Sequence, residues 1–509
     1  MLQHPALNWL TARPLLLALL GSLAAAGLVF MRSEALNDDA FTYVRVADLF
    51  LHEGLGAAFA HYPWASYSVL FAHFNALELD LFNAGLLVNA ALYVLVAAAF
   101  VGVVSQLVQP WPAQERRFVL LLAAAIISLY PQLNEFRSML LRDVGFWAFS
   151  LAGLGQLIAA ARANTALRFW RYGIGFCVAL GLAFAFRAEA IAYLLAAPWA
   201  FVFLRDAQGV RRLPDALRLS ALCMALASLA AAACLVAGID LVQLFTEFAA
   251  TYRPFVETAF APSDAQRLLL DAAAPIEHAA NSGDGVFALF VSLPLLLTSS
   301  LASAISLPFC AVLAWGVIRK KHEASHLSLD RTALVLVGSF AAINMAILLG
   351  FVFITHFVSA RYGMLLSLLL VAFVPIVLVR QRAAAPLIAL LLAYCAVDSF
   401  YSFGRDKGYV DEAVAWVETH VAAEDGDAAF VSNSRRLAYA SQRVIDFDQA
   451  PPILAAETLA TLPAQTLIAI DFNEQMRTRM DALSTAGAVD TVVQFPNDGT
   501  PRIAIYRKR

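Results

Sequence analysis

Apolar runs about twenty residues long recur along this chain, beginning with "PLLLALLGSLAAAGLVF" at 14–30, and no other feature constrains the fold as strongly. A helix of about 20 apolar residues crosses roughly 30 Å of hydrocarbon. In lipid, only helices and closed barrels satisfy their own backbone. The composition agrees: 61% of residues are hydrophobic and 14% charged, with a mean hydropathy of +0.71. A soluble domain carries about 25% charge. The expectation is an all-α polytopic membrane domain. With a net charge of −3 and no basic arm, the sequence gives no sign of nucleic-acid binding.

Apolar runs read against charged breaks give about eleven spans, near 14–31, 81–106, 118–133, 144–160, 172–187, 188–204, 217–238, 297–318, 332–354, 362–379 and 384–400. The first resembles a signal peptide but lacks a small-x-small cleavage site, so it reads as an uncleaved span. "GVFALFVSLPLLLTSSLASAISLPF" is too long for one crossing and is expected to begin as a re-entrant or interfacial segment. The basic connections "QERR", "RANTALRFWR", "RDAQGVRRLPDALR", "RKKHEASHLSLDR" and "VRQR" all fall on one side, which the positive-inside rule makes cytoplasmic. The opposite side then receives residues 32–80, "NEFRSMLLRD", "FRAEA", the loop 239–296, "THFVSARYG" and the C-terminal segment.

From residue 401 the composition becomes that of a soluble domain. "DEAVAWVETHV" has helical spacing, while "AAFVSN", "QTLIAI", "TVVQF" and "RIAIYR" read as short strands. A small α/β domain over 401–509 is expected beside the membrane domain of 1–400. The cysteines Cys177, Cys223, Cys234, Cys310 and Cys395 all lie in apolar runs without metal-ligand spacing, and read as packing residues.

The chemistry is expected on the external side. A helix starting near Asp38 puts Asp38, Thr42, Arg45, Asp48 and His52 on one face, and Ala40, Tyr43, Ala47, Phe50 and Gly54 on the other. That pattern, followed by the aromatic-rich "AFAHYPWASYSVLFAHFNAL", suggests interfacial helices in the first external loop. Asn37 is a good N-cap, and acids in a first turn favour the macrodipole, which accounts for Asp38 and Asp39 without function. Glu135, Arg137, Arg142 and Asp143 stand at the same membrane face, as do Arg187 with Glu189, and His356, Arg361 and Tyr362. Each alone reads as an anchor or a salt bridge. Several loops delivering arginine to one face fit better with a cavity for a phosphate, which the guanidinium fork matches in charge and shape.

These stretches resemble the GT-C superfamily of integral membrane glycosyltransferases, particularly its protein O-mannosyltransferase and aminoarabinose-transferase branch. "NDDAFTYVRVADLFLHEG" is similar to the acidic first-loop motif, "LNEFRSMLLRD" occupies the second loop, and "ARYGMLLSLLL" is similar to the late Arg-Tyr at the head of a span. "GYVDEAVAWVETHV" and "FVSNSRRLAYASQR" resemble the tail domain of bacterial members. The resemblance implies an inverting transferase that moves a hexosyl or pentosyl group from a polyprenyl-phosphate donor to a glycan, lipid or protein acceptor. It places the protein in a bacterial inner membrane, with a cytoplasmic N-terminus and a periplasmic tail. It makes Asp38 the leading general base and Asp39 its close competitor. Arg137, Arg142, Arg187 and Arg361 become donor-phosphate ligands, with Arg45, Glu135, Asp143, Glu189, His356 and Tyr362 in support. Some members of the family use a divalent metal, which Asp38 and Asp39 permit without demonstrating. A lipid-sugar flippase, a glycan polymerase or ligase of another fold, and a non-enzymatic scaffold are the alternatives.

Overall fold

The computed structural model describes residues 12–31, 37–205, 209–236, 284–319, 327–355, 357–401, 408–422, 429–442, 450–451, 453–496 and 500–509, with single residues 242, 246, 253 and 498. Most of the expected loop 239–296, residues 32–36 and His356 lie outside the described residues. The chain is mostly helix with a small C-terminal sheet. The helices Leu81–Leu107, Asp143–Ala161, Ala166–Phe186, Arg331–Thr355 and Ala360–Arg380 are each long and apolar enough to cross a bilayer, as in a multi-pass membrane protein. Two bent pairs, Ala113–Ser128 with Pro131–Ser138 and Ser292–Ile305 with Leu307–Ile318, raise the number by that test to seven. Shorter apolar helices at Pro14–Phe30, Ala190–Phe203 and Ala385–Tyr401 coincide with further expected spans.

The expected span 297–318 is corrected: the chain turns through 103° within it. Ser306 adopts φ 70°, and Pro308 stands in the first turn of the next helix, Leu307–Ile318, where its missing N–H costs nothing. The break falls within the stretch expected to begin as a re-entrant or interfacial segment, and a bend of this size makes the pair a broken span or a re-entrant loop. The helix expected from residue 38 runs from Asp38 to Glu53 and ends at Gly54, whose φ of 90° suits glycine. It is more deeply packed than an interfacial helix, with Phe41, Val44, Val46 and Leu49 buried as well as Ala40, Tyr43 and Ala47.

Asn37 stands at the N-cap position, but its side chain makes no capping bond. Its amide instead donates to the Leu140 carbonyl at 3.1 Å and accepts from the Leu140 N–H at 2.9 Å. This two-bond clasp fixes the start of the Asp38 helix to the loop that carries Arg142. A close approach then sets the neighbouring chains. The Phe186 ring lies over Gly145, where a Cβ would stand 2.4 Å from it. Only glycine at 145 lets the start of one helix, Asp143, meet the end of the other, Arg187.

The C-terminal sheet has the order β1-β2-β4-β3, with β1 (Phe430–Ser432) parallel to β2 (Leu467–Asp471) and β4 (Ile503–Lys508) antiparallel to both β2 and β3 (Val489–Phe495). These are the strands expected from the sequence. Alternation along β2 and β4 buries Leu467, Ala469, Ile503 and Ile505 on one face, against Val417 and Leu437. Ile468, Ile470, Ala504 and Tyr506 pack on the other face against Met476 and Met480. After β1 the short helix Arg435–Ser441 meets the membrane domain, where the Tyr439 ring lies 5.4 Å from Phe41 and 5.6 Å from Phe82.

Candidate active site

A polar cavity of about 350 Å³ opens where these helix ends converge, lined by Asp39, Thr42, Tyr43, His61, Tyr62, Arg142, Asp143, Arg187, Phe351, Arg361, Tyr362 and Arg435. The helices beginning at Asp38, Asp143 and Ala360 all start at its wall. Their positive ends add to the arginines and favour an anion there.

Asp39 faces the cavity in the first turn of its helix. Arg361 donates to its Oδ2 at 2.8 Å, and the Arg435 guanidinium lies 3.9 Å from its Oδ1. Arg435 also donates to the Thr42 hydroxyl at 3.0 Å. The neighbouring Asp38 is exposed and does not line the cavity. Consecutive residues on a helix point about 100° apart, so only one of an adjacent pair can face a given wall.

Arg142 enters between the Tyr62 and Trp64 rings, 5.7 Å and 5.2 Å from their centres. Its buried Nη1 has no hydrogen-bond partner among the described residues. A desolvated donor without an acceptor is costly, and an anionic ligand would remove that cost. Arg187 is held differently. It bonds Asp143 on one side, and its Nε reaches both Glu189 oxygens at 3.2 Å on the other. The guanidinium thus stands between two carboxylates brought in by separate segments of the chain. Asp143→Asn leaves half of the buried arrangement broken and is expected to cost about 3 kcal/mol, measured by denaturant unfolding in detergent.

Arg137 does not line the cavity. It is buried under the first apolar helix, bonding Ser22 and Asn134 and lying 4.4 Å from the Tyr93 ring centre. Glu135 pairs with Gln132 at 2.5 Å, and Arg45 with Asp48 at 3.2 Å, both away from the cavity. Thr42 lies on the helix face that the sequence marks as polar, whereas Arg435 and His61 are not singled out by sequence. Nothing local separates Arg435 from Arg436, which turns back to Asp411 inside the tail domain.

A second cavity of about 410 Å³ adjoins the first, sharing Arg187, Phe351 and Tyr362. Its other walls are largely apolar, among them Trp64, Phe146, Trp147, Phe184, Ile347 and Ile354. Among the described residues no three His, Cys, Asp or Glu side chains stand close enough to share a metal ion. Asp39, with arginines at both its oxygens, does not fit a divalent cation.

No family model and no curated protein matches this chain. Several solved structures are similar to it, two of which are named here. One is the archaeal oligosaccharyltransferase AglB from Archaeoglobus fulgidus, in complex with an inhibitory peptide and a dolichol-phosphate, at 12% identity over 92% of this chain and 70% of that one, with a TM-score of 0.47. The other is ArnT from Cupriavidus metallidurans bound to undecaprenyl phosphate, at 12% identity over 98% of both chains, with a TM-score of 0.37. At such identity and TM-scores the likeness says nothing of activity, which has to be read from the site itself.

Proposed function

We propose that this protein is an inverting membrane glycosyltransferase that moves a sugar from a polyprenyl-phosphate donor to a hydroxyl of an envelope glycan, lipid or protein. The observation that carries this reading is the junction of the two cavities. An arginine-lined chamber joins an apolar one at Arg187, Phe351 and Tyr362. A ligand with a charged head and a hydrocarbon tail fits such a pair, with its phosphate among the arginines and its prenyl chain against the aromatic wall. The chamber has the volume for a sugar beside the phosphate.

In this mechanism Asp39 accepts the proton of the acceptor hydroxyl as its oxygen attacks the anomeric carbon. The bond from that carbon to the phosphate oxygen breaks on the opposite face, which inverts the centre. The electron pair leaves with the phosphate, whose added charge Arg142 and Arg361 stabilise, so no general acid is needed. Arg187, already bonded to two carboxylates, shapes the throat between the chambers. Arg137 belongs to the scaffold in this scheme, and Asp38 gives up the leading role to Asp39. The membrane is the bacterial inner membrane, with the site and tail domain on its periplasmic side.

Reconstitution in proteoliposomes with polyprenyl-phosphate sugars tests the reading. Transfer to an added hydroxyl acceptor, or slow donor hydrolysis in its absence, is the expected result. Movement of labelled lipid between leaflets without either product would make the protein a flippase instead.

A further inference from the structure

Of the four arginines on the wall of the polar cavity, Arg435 comes from the C-terminal domain and the others from the helical bundle. We propose that Arg435 is a positioning residue for Asp39, which makes the tail domain part of the catalytic unit. The assignment rests on Asp39 being the general base.

The turn that presents Arg435 is held on both sides. After β1, the Asn433 amide donates to the Asp471 carbonyl at 2.8 Å and accepts from the Asp471 N–H at 2.8 Å. Ser434 N–H donates to the Ser432 hydroxyl at 3.0 Å. The helix that follows splits its two arginines: Arg436 pairs with Asp411 of its own domain, and Arg435 crosses to the bundle. Four residues on, along the same helix face, Tyr439 packs against Phe41 and Phe82. A fixed turn and an aromatic contact therefore set where the Arg435 side chain arrives.

It arrives at Asp39 and Thr42, which lie three residues apart on one face of the Asp38–Glu53 helix. Arg361 from the bundle holds Oδ2, and Arg435 from the tail stands at Oδ1. The carboxylate is thereby oriented from two domains. A base free to leave its productive rotamer loses most of its advantage, even with the substrate bound.

The test compares Arg435→Gln, Arg435→Lys and Arg436→Gln with wild type in the reconstituted transfer assay, with melting temperatures in detergent. Arg435→Gln is expected to lower kcat by about tenfold or more while donor KM stays within about twofold, because orientation rather than binding is lost. Arg435→Lys should recover most of that loss, and Arg436→Gln should match wild type. Wild-type kcat in Arg435→Gln overturns the assignment. So does equal slowing of both Arg435 variants accompanied by equally lowered melting temperatures, which marks a purely structural contact. If Arg435→Gln does not fold, Thr42→Val carries the test: loss of that hydrogen bond should lower kcat by about threefold, and an unchanged kcat overturns the assignment. A wild type that neither binds undecaprenyl phosphate nor turns over any polyprenyl-phosphate sugar removes the transferase reading itself, a result separate from any variant.

Discussion

Asp39→Asn is expected to lower sugar transfer by about a hundredfold to ten-thousandfold, the range for loss of a positioned base. Asp38→Asn should change it by no more than about threefold, as for a surface substitution. The contrast follows from placement. Asp39 lines the polar cavity between Arg361 and Arg435, whereas the exposed Asp38 does not line it. Asparagine keeps the shape and hydrogen-bond reach of the side chain but cannot accept the proton. Donor KM should therefore change less than kcat, and initial rates at saturating donor give the comparison directly. Full activity in Asp39→Asn with loss in Asp38→Asn would exchange the two roles and show that the acid in the cavity is not the base.

Arg142→Gln is expected to lower kcat/KM for the donor by about a hundredfold, the scale of one lost hydrogen bond to a charged group in a desolvated site. Its Nη1 is buried without a hydrogen-bond partner among the described residues, and its guanidinium is braced by Tyr62 and Trp64. An arginine so held is oriented before any ligand arrives. The phosphate gains charge as the sugar leaves, so the loss should fall on kcat as well as on KM. Arg142→Lys should recover only part, since an ammonium keeps the charge but not the flat fork or the ring contacts. Unchanged kinetics in Arg142→Gln would mean that the phosphate binds elsewhere among the arginines.

The sequence made some of this legible and hid the rest for physical reasons. Apolar runs forecast the helices well, because their length in a bilayer is fixed by its thickness. The four short strands of the tail were visible in the same way, through alternation and punctuation. The pairing of Asp39 with Arg361, 322 residues apart in the chain, was approached through charge on one membrane face but not as a contact. Which of two adjacent aspartates faces the site depends on how the helix docks, and local pattern contains no docking information. The same holds for Arg137 and Arg142, five positions apart: one turns under the first helix and the other into the cavity. Arg435 could not be found from its own surroundings, because its partners belong to the other domain. The length of the stretch around Ser306 signalled an irregular crossing, but its composition did not fix where the bend falls.

The Asn37 clasp ties the segment bearing Asp39 to the segment bearing Arg142 through paired amide bonds to Leu140. The Leu140 half of the clasp is backbone, which every residue but proline supplies, so the register between the acid and the arginine hangs on the single side chain at position 37. Replacing that one amide would let the two loops drift apart while Asp39 and Arg142 both remained in the chain.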